Sequence, residues 1–77
     1  MIQTFEGEVT EVTEQGDHWV ATYTFKKGTE LLAVVKEFLP KFLWPEVVEG
    51  MKVAYSAFTP HSTTRSNFTL GGRSASY

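Results

Sequence analysis

The feature that most constrains this chain is a regular alternation of side-chain type in residues 19–26. Trp19, Tyr23 and Phe25 share one parity with an alanine, and the other parity carries valine, threonines and a lysine. Because successive side chains of a strand point to opposite faces, this period of two predicts a half-buried β-strand with an aromatic inner face. Glycine-containing turns at 15–17 and 26–29 bound the segment, and glycine tolerates the positive φ that such turns use. The sequence therefore predicts two consecutive hairpins.

Residues 30–39 admit two interpretations. Their leucines, valines and Phe38 are spaced as on a helix, with Thr29 as a possible cap and Pro40 after the end. The same valine-rich run after a Lys-Gly turn also fits a third strand, since periodicity does not separate the two for a short apolar run. We favour the strand because it completes a meander. The alternative, a helix over 30–39, gives a two-layer ββαββ domain.

With the strands assigned in the rest of the sequence, we predict an all-β domain of five short strands. Residues 5–12 form the first strand, 51–58 the fourth and 67–70 the fifth. Between strands three and four, Pro45 at a first helical position and Gly50 at the end predict a short helical turn. Residues 71–77 are either a flexible tail or a frayed strand end. Five short strands with regular turns point to a closed or partly open barrel.

Three segments resemble one known family. Residues 6–12 read EGEVTEV, 27–33 read KGTELLA and 48–55 read VEGMKVAY. In this order they resemble bacterial translation initiation factor one, whose fold is the oligonucleotide/oligosaccharide-binding (OB) barrel. The resemblance implies a five-stranded OB-type barrel over residues 1–77, and nucleic acid as its ligand. The family's basic cluster between strands three and four is replaced here by the largely apolar residues 36–44.

Composition limits the class of function. The 77 residues contain no cysteine and form one domain, and the first residues do not resemble a signal peptide. No apolar run approaches the length of a membrane span. We therefore expect a cytoplasmic protein without membrane contact. His18 and His61 lie far apart and no nucleophile or metal-ligand spacing accompanies them, so we expect no catalysis, no metal and no cofactor.

Charge is segregated along the chain, although the net charge is −2. Residues 1–25 carry acids and no lysine or arginine, whereas residues 51–77 carry no acid. Single-stranded nucleic acid needs cations on phosphates and aromatic rings under bases. The predicted binding residues for single-stranded RNA or DNA are Lys26, Lys27, Lys36, Lys41, Phe42, Trp44, Arg65, Phe68 and Arg73.

A second hypothesis uses the same barrel to bind protein. Phe38, Phe42 and Trp44 lie near prolines in one segment, and exposed aromatic side chains are common interface anchors. They could anchor a protein partner or a second copy of the chain, as in a small regulatory or inhibitory factor. The three rings could equally cap one end of the barrel, and Phe68 could stack on a base or fill the interior.

Overall fold

The computed structural model describes residues 1–74. They form one antiparallel six-stranded sheet in the order β3-β2-β1-β4-β5-β6. The strands are β1 (Gln3–Gln15), β2 (His18–Lys27), β3 (Glu30–Pro40), β4 (Lys52–Ala57), β5 (Ser66–Leu70) and β6 (Arg73–Ser74). The predicted all-β class and the β1-β2-β3 meander are confirmed.

Two details of the prediction need correction. Residues 30–39 are a strand, so the ββαββ alternative is wrong, and within the described residues no helix forms between strands three and four. The chain instead turns after Pro40, whose carbonyl accepts a hydrogen bond from the amide of Trp44 at 3.1 Å. A sixth strand, β6, lies in the segment predicted as either a flexible tail or a frayed strand end. Residues 75–77 of that segment lie outside the described part of the chain.

Strand β1 pairs with two neighbours, with β4 through residues 3–8 and with β2 through residues 7–15. Gly7 therefore has a partner strand on both sides. A Cβ atom at Gly7 would lie 2.4 Å from the carbonyl oxygen of Thr24 and 2.8 Å from the ring of Phe25. Glycine is therefore required here because β2 and its inner aromatic ring approach the β1 backbone too closely for any side chain.

The core lies on one face of the curved sheet. Aromatic rings from three strands meet there, with Phe25 edge-on to Tyr55 at a centroid distance of 5.4 Å and Phe5 within 6.3 Å of both. The two side chains of the alternating segment, Tyr23 and Phe25, are completely buried. The period of two in β2 thus fixes which face of the sheet is the core.

Within residues 1–74, hydrogen bonds between strands do not close the sheet into a barrel, since β3 and β6 stand at its two ends. Side chains nevertheless connect β3 to the segment that leads into β5. The Glu37 carboxylate pairs with the guanidinium of Arg65, and the Tyr55 hydroxyl of β4 donates to the carbonyl of Pro60 in the same loop. We call this contact between β3 and residues 60–65 the β3–β5 seam.

Candidate nucleic-acid interface

The outer face of β2 and β3 combines aliphatic, threonine and lysine side chains with one exposed aromatic ring. Trp19, Ala21, Tyr23 and Phe25 of β2 pack in or against the core. The alternate residues Val20, Thr22, Thr24 and Lys26 therefore point to the opposite face, although Thr22 is itself only 9% exposed. Across the β2–β3 pairing, Val20 lies opposite Phe38, Thr22 opposite Lys36, and Thr24 opposite Val34. We define the β2–β3 face as Val20, Thr22, Thr24, Lys26, Val34, Lys36 and Phe38. None of these residues is acidic.

Phe38 and three lysines are the accessible groups of this region. Phe38 keeps 68% of its surface exposed, which is unusual for a large aromatic side chain in a regular strand. Lys26 and Lys27 end β2 at the hairpin, and Lys36 stands on the same strand as Phe38, two residues away. All three lysines are exposed, and within residues 1–74 none of them forms an ion pair with a carboxylate.

Strand β1 borders this face with acidic side chains. Glu11 lies opposite Thr22, and Glu8 lies opposite Thr24. Glu8 is 3.7 Å from the ammonium of Lys52 on its other side, a contact at the long limit for an ion pair. The outer surface thus changes from basic and apolar on β3 to acidic on β1, with threonines between them.

The predicted residues after β3 separate into exposed and internal groups. Phe42 is 81% exposed and therefore accessible, whereas Trp44 is only 2% exposed. The Trp44 ring packs edge-on against Phe68 at 5.8 Å, and its carbonyl accepts a hydrogen bond of 2.8 Å from Trp19 Nε1. Lys41 pairs with Glu14 and lies 4.9 Å above the Trp19 ring. Trp44 must therefore be removed from the set of surface anchors, because it is a core residue.

Arg65 is also directed inward. Its guanidinium lies 4.8 Å from the ring centres of both Tyr55 and Phe68 and binds the Glu37 carboxylate, which also accepts the Tyr23 hydroxyl at 2.6 Å. Arg65 and Phe68 thus make contacts within the chain at the β3–β5 seam. Of the two roles predicted for Phe68, this arrangement favours filling of the interior.

The electrostatics of the seam follow from burial and from the carboxylate. Burial raises the pKa of Tyr23 far above its usual value, and the negative charge of Glu37 raises it further. Burial also raises the pKa of Tyr55, while the nearby Arg65 opposes the change. For Arg65 itself, burial lowers the pKa, but the hydrogen bond and charge of Glu37 outweigh it and the net shift is upward. Both tyrosines therefore remain neutral and the arginine remains charged.

Arg73 lies on β6, at the opposite end of the strand order from β3. It lines a shallow depression with Trp44, Met51 and Leu70, separate from the lysines of the β2–β3 hairpin. Of the predicted set, Lys26, Lys27 and Lys36 therefore lie on one hairpin, with the first two at its turn and Lys36 opposite Thr22, about 13 Å from Lys26 along β2.

Two negative findings apply to the part of the chain that the structure describes. Residues 1–74 contain no group of three or more histidine, aspartate or glutamate side chains placed to hold a metal ion. Nor do these residues contain a helix long and apolar enough to cross a membrane.

Sequence reasoning missed Glu37. The partnership of Glu37 with Arg65 joins residues 28 positions apart, and no local pattern indicates it. The alternation in β2, by contrast, predicts that Thr22 lies on the face opposite Tyr23, although Thr22 is not among the predicted binding residues.

Comparison with known proteins gives no relative from which to transfer a function. No protein-family model, no curated protein and no solved structure matches this chain.

Proposed function

We propose that this chain is a non-catalytic module that binds single-stranded nucleic acid on the β2–β3 face. The observation that carries the proposal is the exposed Phe38 ring beside Lys36 on an outer face without acidic residues. Stacking of a base on an aromatic side chain contributes about 1–3 kcal/mol and tolerates any base. Lys36 beside the ring, and Lys26 and Lys27 at the hairpin, supply the cations that phosphates require.

The strand order supports an OB-type architecture for this module. The order β3-β2-β1-β4-β5, with β1 shared between β2 and β4, corresponds to a five-stranded sheet that curls until β3 approaches β5. OB folds are partly open Greek-key barrels whose β2–β3 face binds oligonucleotides. We propose that the seam, bridged by Glu37 and Arg65 in place of backbone hydrogen bonds, is the open side of such a barrel. The resemblance to initiation factor one adds an expectation of the fold and no further support for the ligand.

The placement of the cations narrows the proposed contacts. Lys26, Lys27 and Lys36 are available to phosphates, whereas Lys41 and Arg65 are engaged by carboxylates. Three phosphate contacts on a single strand correspond to a slope of about −2 in a plot of log affinity against log salt. A protein of net charge −2 can bind in this way because the local field of the hairpin acts at the contact.

The test is fluorescence anisotropy with a labelled 12-nucleotide single strand of mixed sequence, as DNA and as RNA, at two salt concentrations. Phe38→Ala should weaken binding about fivefold or more, and Lys36→Gln should weaken it and reduce the salt slope. Phe58→Ala is the matched control, because Phe58 is also exposed, at 60%, but follows β4. Absence of binding at low salt, or binding that does not respond to salt, would overturn the proposal.

A second candidate function is docking of a protein through Phe38 and Phe42. The specific observation in its favour is that both rings are mostly exposed, and large exposed aromatic side chains anchor protein interfaces. Trp44 does not belong to this surface, because it is buried. Light scattering on the purified protein tests whether the partner is a second copy of the chain. A dimer that Phe42→Ala dissociates supports self-association, and a monomer excludes it.

A further inference from the structure

Cross-strand pairing places three different polar groups in one row, of which the outer two are exposed and the middle one, Thr22, is buried. Thr22 of β2 lies directly opposite Lys36 of β3 and directly opposite Glu11 of β1. Neighbouring strands are about 4.8 Å apart, so the backbones of the lysine and the glutamate are about 10 Å apart. The row therefore runs from a cation through a hydroxyl to a carboxylate.

The carboxylate of Glu11 is available at the end of this row. Glu11 is exposed, and among the described residues its oxygens take part in no ion pair or side-chain hydrogen bond. Its neighbour Glu8, in contrast, is 3.7 Å from Lys52. Within residues 1–74, Glu11 thus keeps its acceptor capacity, as does Glu6, which lines a depression with Lys26 and Lys27.

An ionised carboxylate accepts hydrogen bonds and donates none. Cytosine and adenine carry an exocyclic amino group that donates, whereas thymine and uracil present a carbonyl oxygen at the corresponding position. If phosphates bind the lysines of β3 and the hairpin, and a base stacks on Phe38, the outer edge of the base points across Val20 of β2 toward Thr13 of β1. Glu11 lies two residues from Thr13 on the same side of β1, about 7 Å along the strand. There a carboxylate attracts an amino group and repels a carbonyl.

Building on the proposed nucleic-acid function, we infer that Glu11 makes the β2–β3 face selective for single strands whose bases carry exocyclic amino groups, over thymine- and uracil-rich strands. The same carboxylate disfavours duplexes, because a second sugar–phosphate backbone would lie on the acidic side of the face.

The inference is tested by anisotropy with labelled 12-nucleotide oligodeoxycytidine and oligothymidine at pH 7.5 and low salt. Wild-type protein should bind the cytidine strand at least about fivefold more tightly. Glu11→Gln replaces the acceptor by an amide that both accepts and donates, so the ratio between the two strands should fall to within twofold. Glu49→Gln, the same change at an exposed glutamate of the loop before β4, should leave the ratio unchanged.

The outcomes separate the inference from the function on which it rests. If neither homopolymer nor the mixed-sequence strand binds, the proposed function itself fails. If the strands bind but the ratio in the wild type is below twofold, or if Glu11→Gln leaves a larger ratio intact, the role of Glu11 is overturned and nucleic-acid binding stands. A ratio that Glu11→Gln removes and Glu49→Gln preserves supports the inference, and it also excludes stacking differences between cytosine and thymine as the cause.

Discussion

Replacing Arg65 by methionine tests whether side chains hold the β3–β5 seam together. Methionine retains an unbranched stem for packing against Tyr55 and Phe68 but removes the guanidinium. Hydrogen bonds to charged groups contribute about 1.5–3 kcal/mol each, and a partly exposed cation–π contact contributes about 0.5–1 kcal/mol. Arg65 has one such bond to Glu37 and two ring contacts. We therefore expect the free energy of unfolding to fall by about 3 kcal/mol.

The solvent exposure of the Arg65–Glu37 pair limits how much stability its loss can cost. The side chains of Arg65 and Glu37 are 20% and 17% exposed, so water screens the pair only in part. Loss of one partner from a fully buried pair costs about 3–5 kcal/mol, and the lower end of that range applies here. For a domain of this size, about 3 kcal/mol corresponds to a decrease in Tm of about 15 °C.

Urea unfolding followed by tryptophan fluorescence measures the change, and a double-mutant cycle with Glu37→Gln isolates the pair. We expect a coupling free energy of about 1.5 kcal/mol or more between the two positions. Arg73→Met is the control, because Arg73 is exposed, and it should change stability by less than about 0.5 kcal/mol. A coupling below about 0.5 kcal/mol would show that the ion pair does not hold the seam.

Three further predictions concern the core and its tyrosines. Gly7→Ala should lower the free energy of unfolding, measured in urea, by about 2 kcal/mol or more, because the added Cβ would lie 2.4 Å from a backbone oxygen of β2. Unchanged stability would contradict this close approach of the two strands. The free energy of unfolding should fall as pH rises above about 10. In that range tyrosine loses its proton in the unfolded chain, whereas Tyr23 and Tyr55 keep theirs in the folded chain because their pKa values are raised. Tyr23→Phe should make this decrease smaller when the urea midpoint is measured as a function of pH. Trp44→Ala should lower the free energy of unfolding by about 3–5 kcal/mol, whereas Phe42→Ala should lower it by less than about 0.5 kcal/mol. Equal losses would contradict the finding that Trp44 is buried and Phe42 is exposed.

The alternation of apolar and polar side chains along β2 allowed most of the correct predictions about the fold. The period of two over β2 identifies Tyr23 and Phe25 as inner residues, and the turns on both sides predict the meander. Residues 30–39 remained ambiguous because an apolar run fits a helix or a strand until its partner is known. Pairing of β3 with β2 along its whole length resolves this, and that pairing is a tertiary fact.

The candidate site was harder to predict because its assignments depend on the path of loops. Phe42 and Trp44 are two residues apart in a segment without regular period, and one is exposed while the other is buried. Hydrogen bonds from the Trp44 amide to Pro40 and from Trp19 to the Trp44 carbonyl determine which ring turns inward. Arg65 has no acid near it in sequence, yet folding brings it to Glu37.

The distribution of charge over the fold also limits how the β2–β3 face can respond to salt. At physiological ionic strength the Debye length is about 8 Å, slightly less than the separation of about 10 Å between the backbones of Lys36 and Glu11 across β2. The carboxylate is then largely screened from a phosphate held by the lysine. Lowering the salt concentration strengthens the attraction of the lysines, but it also extends the repulsion from Glu11 to the same phosphates. The salt slope should therefore be shallower than the value of about −2 expected for three phosphate contacts, and Glu11→Gln should steepen it, whereas an acid that lies far from the bound strand would leave the slope unchanged.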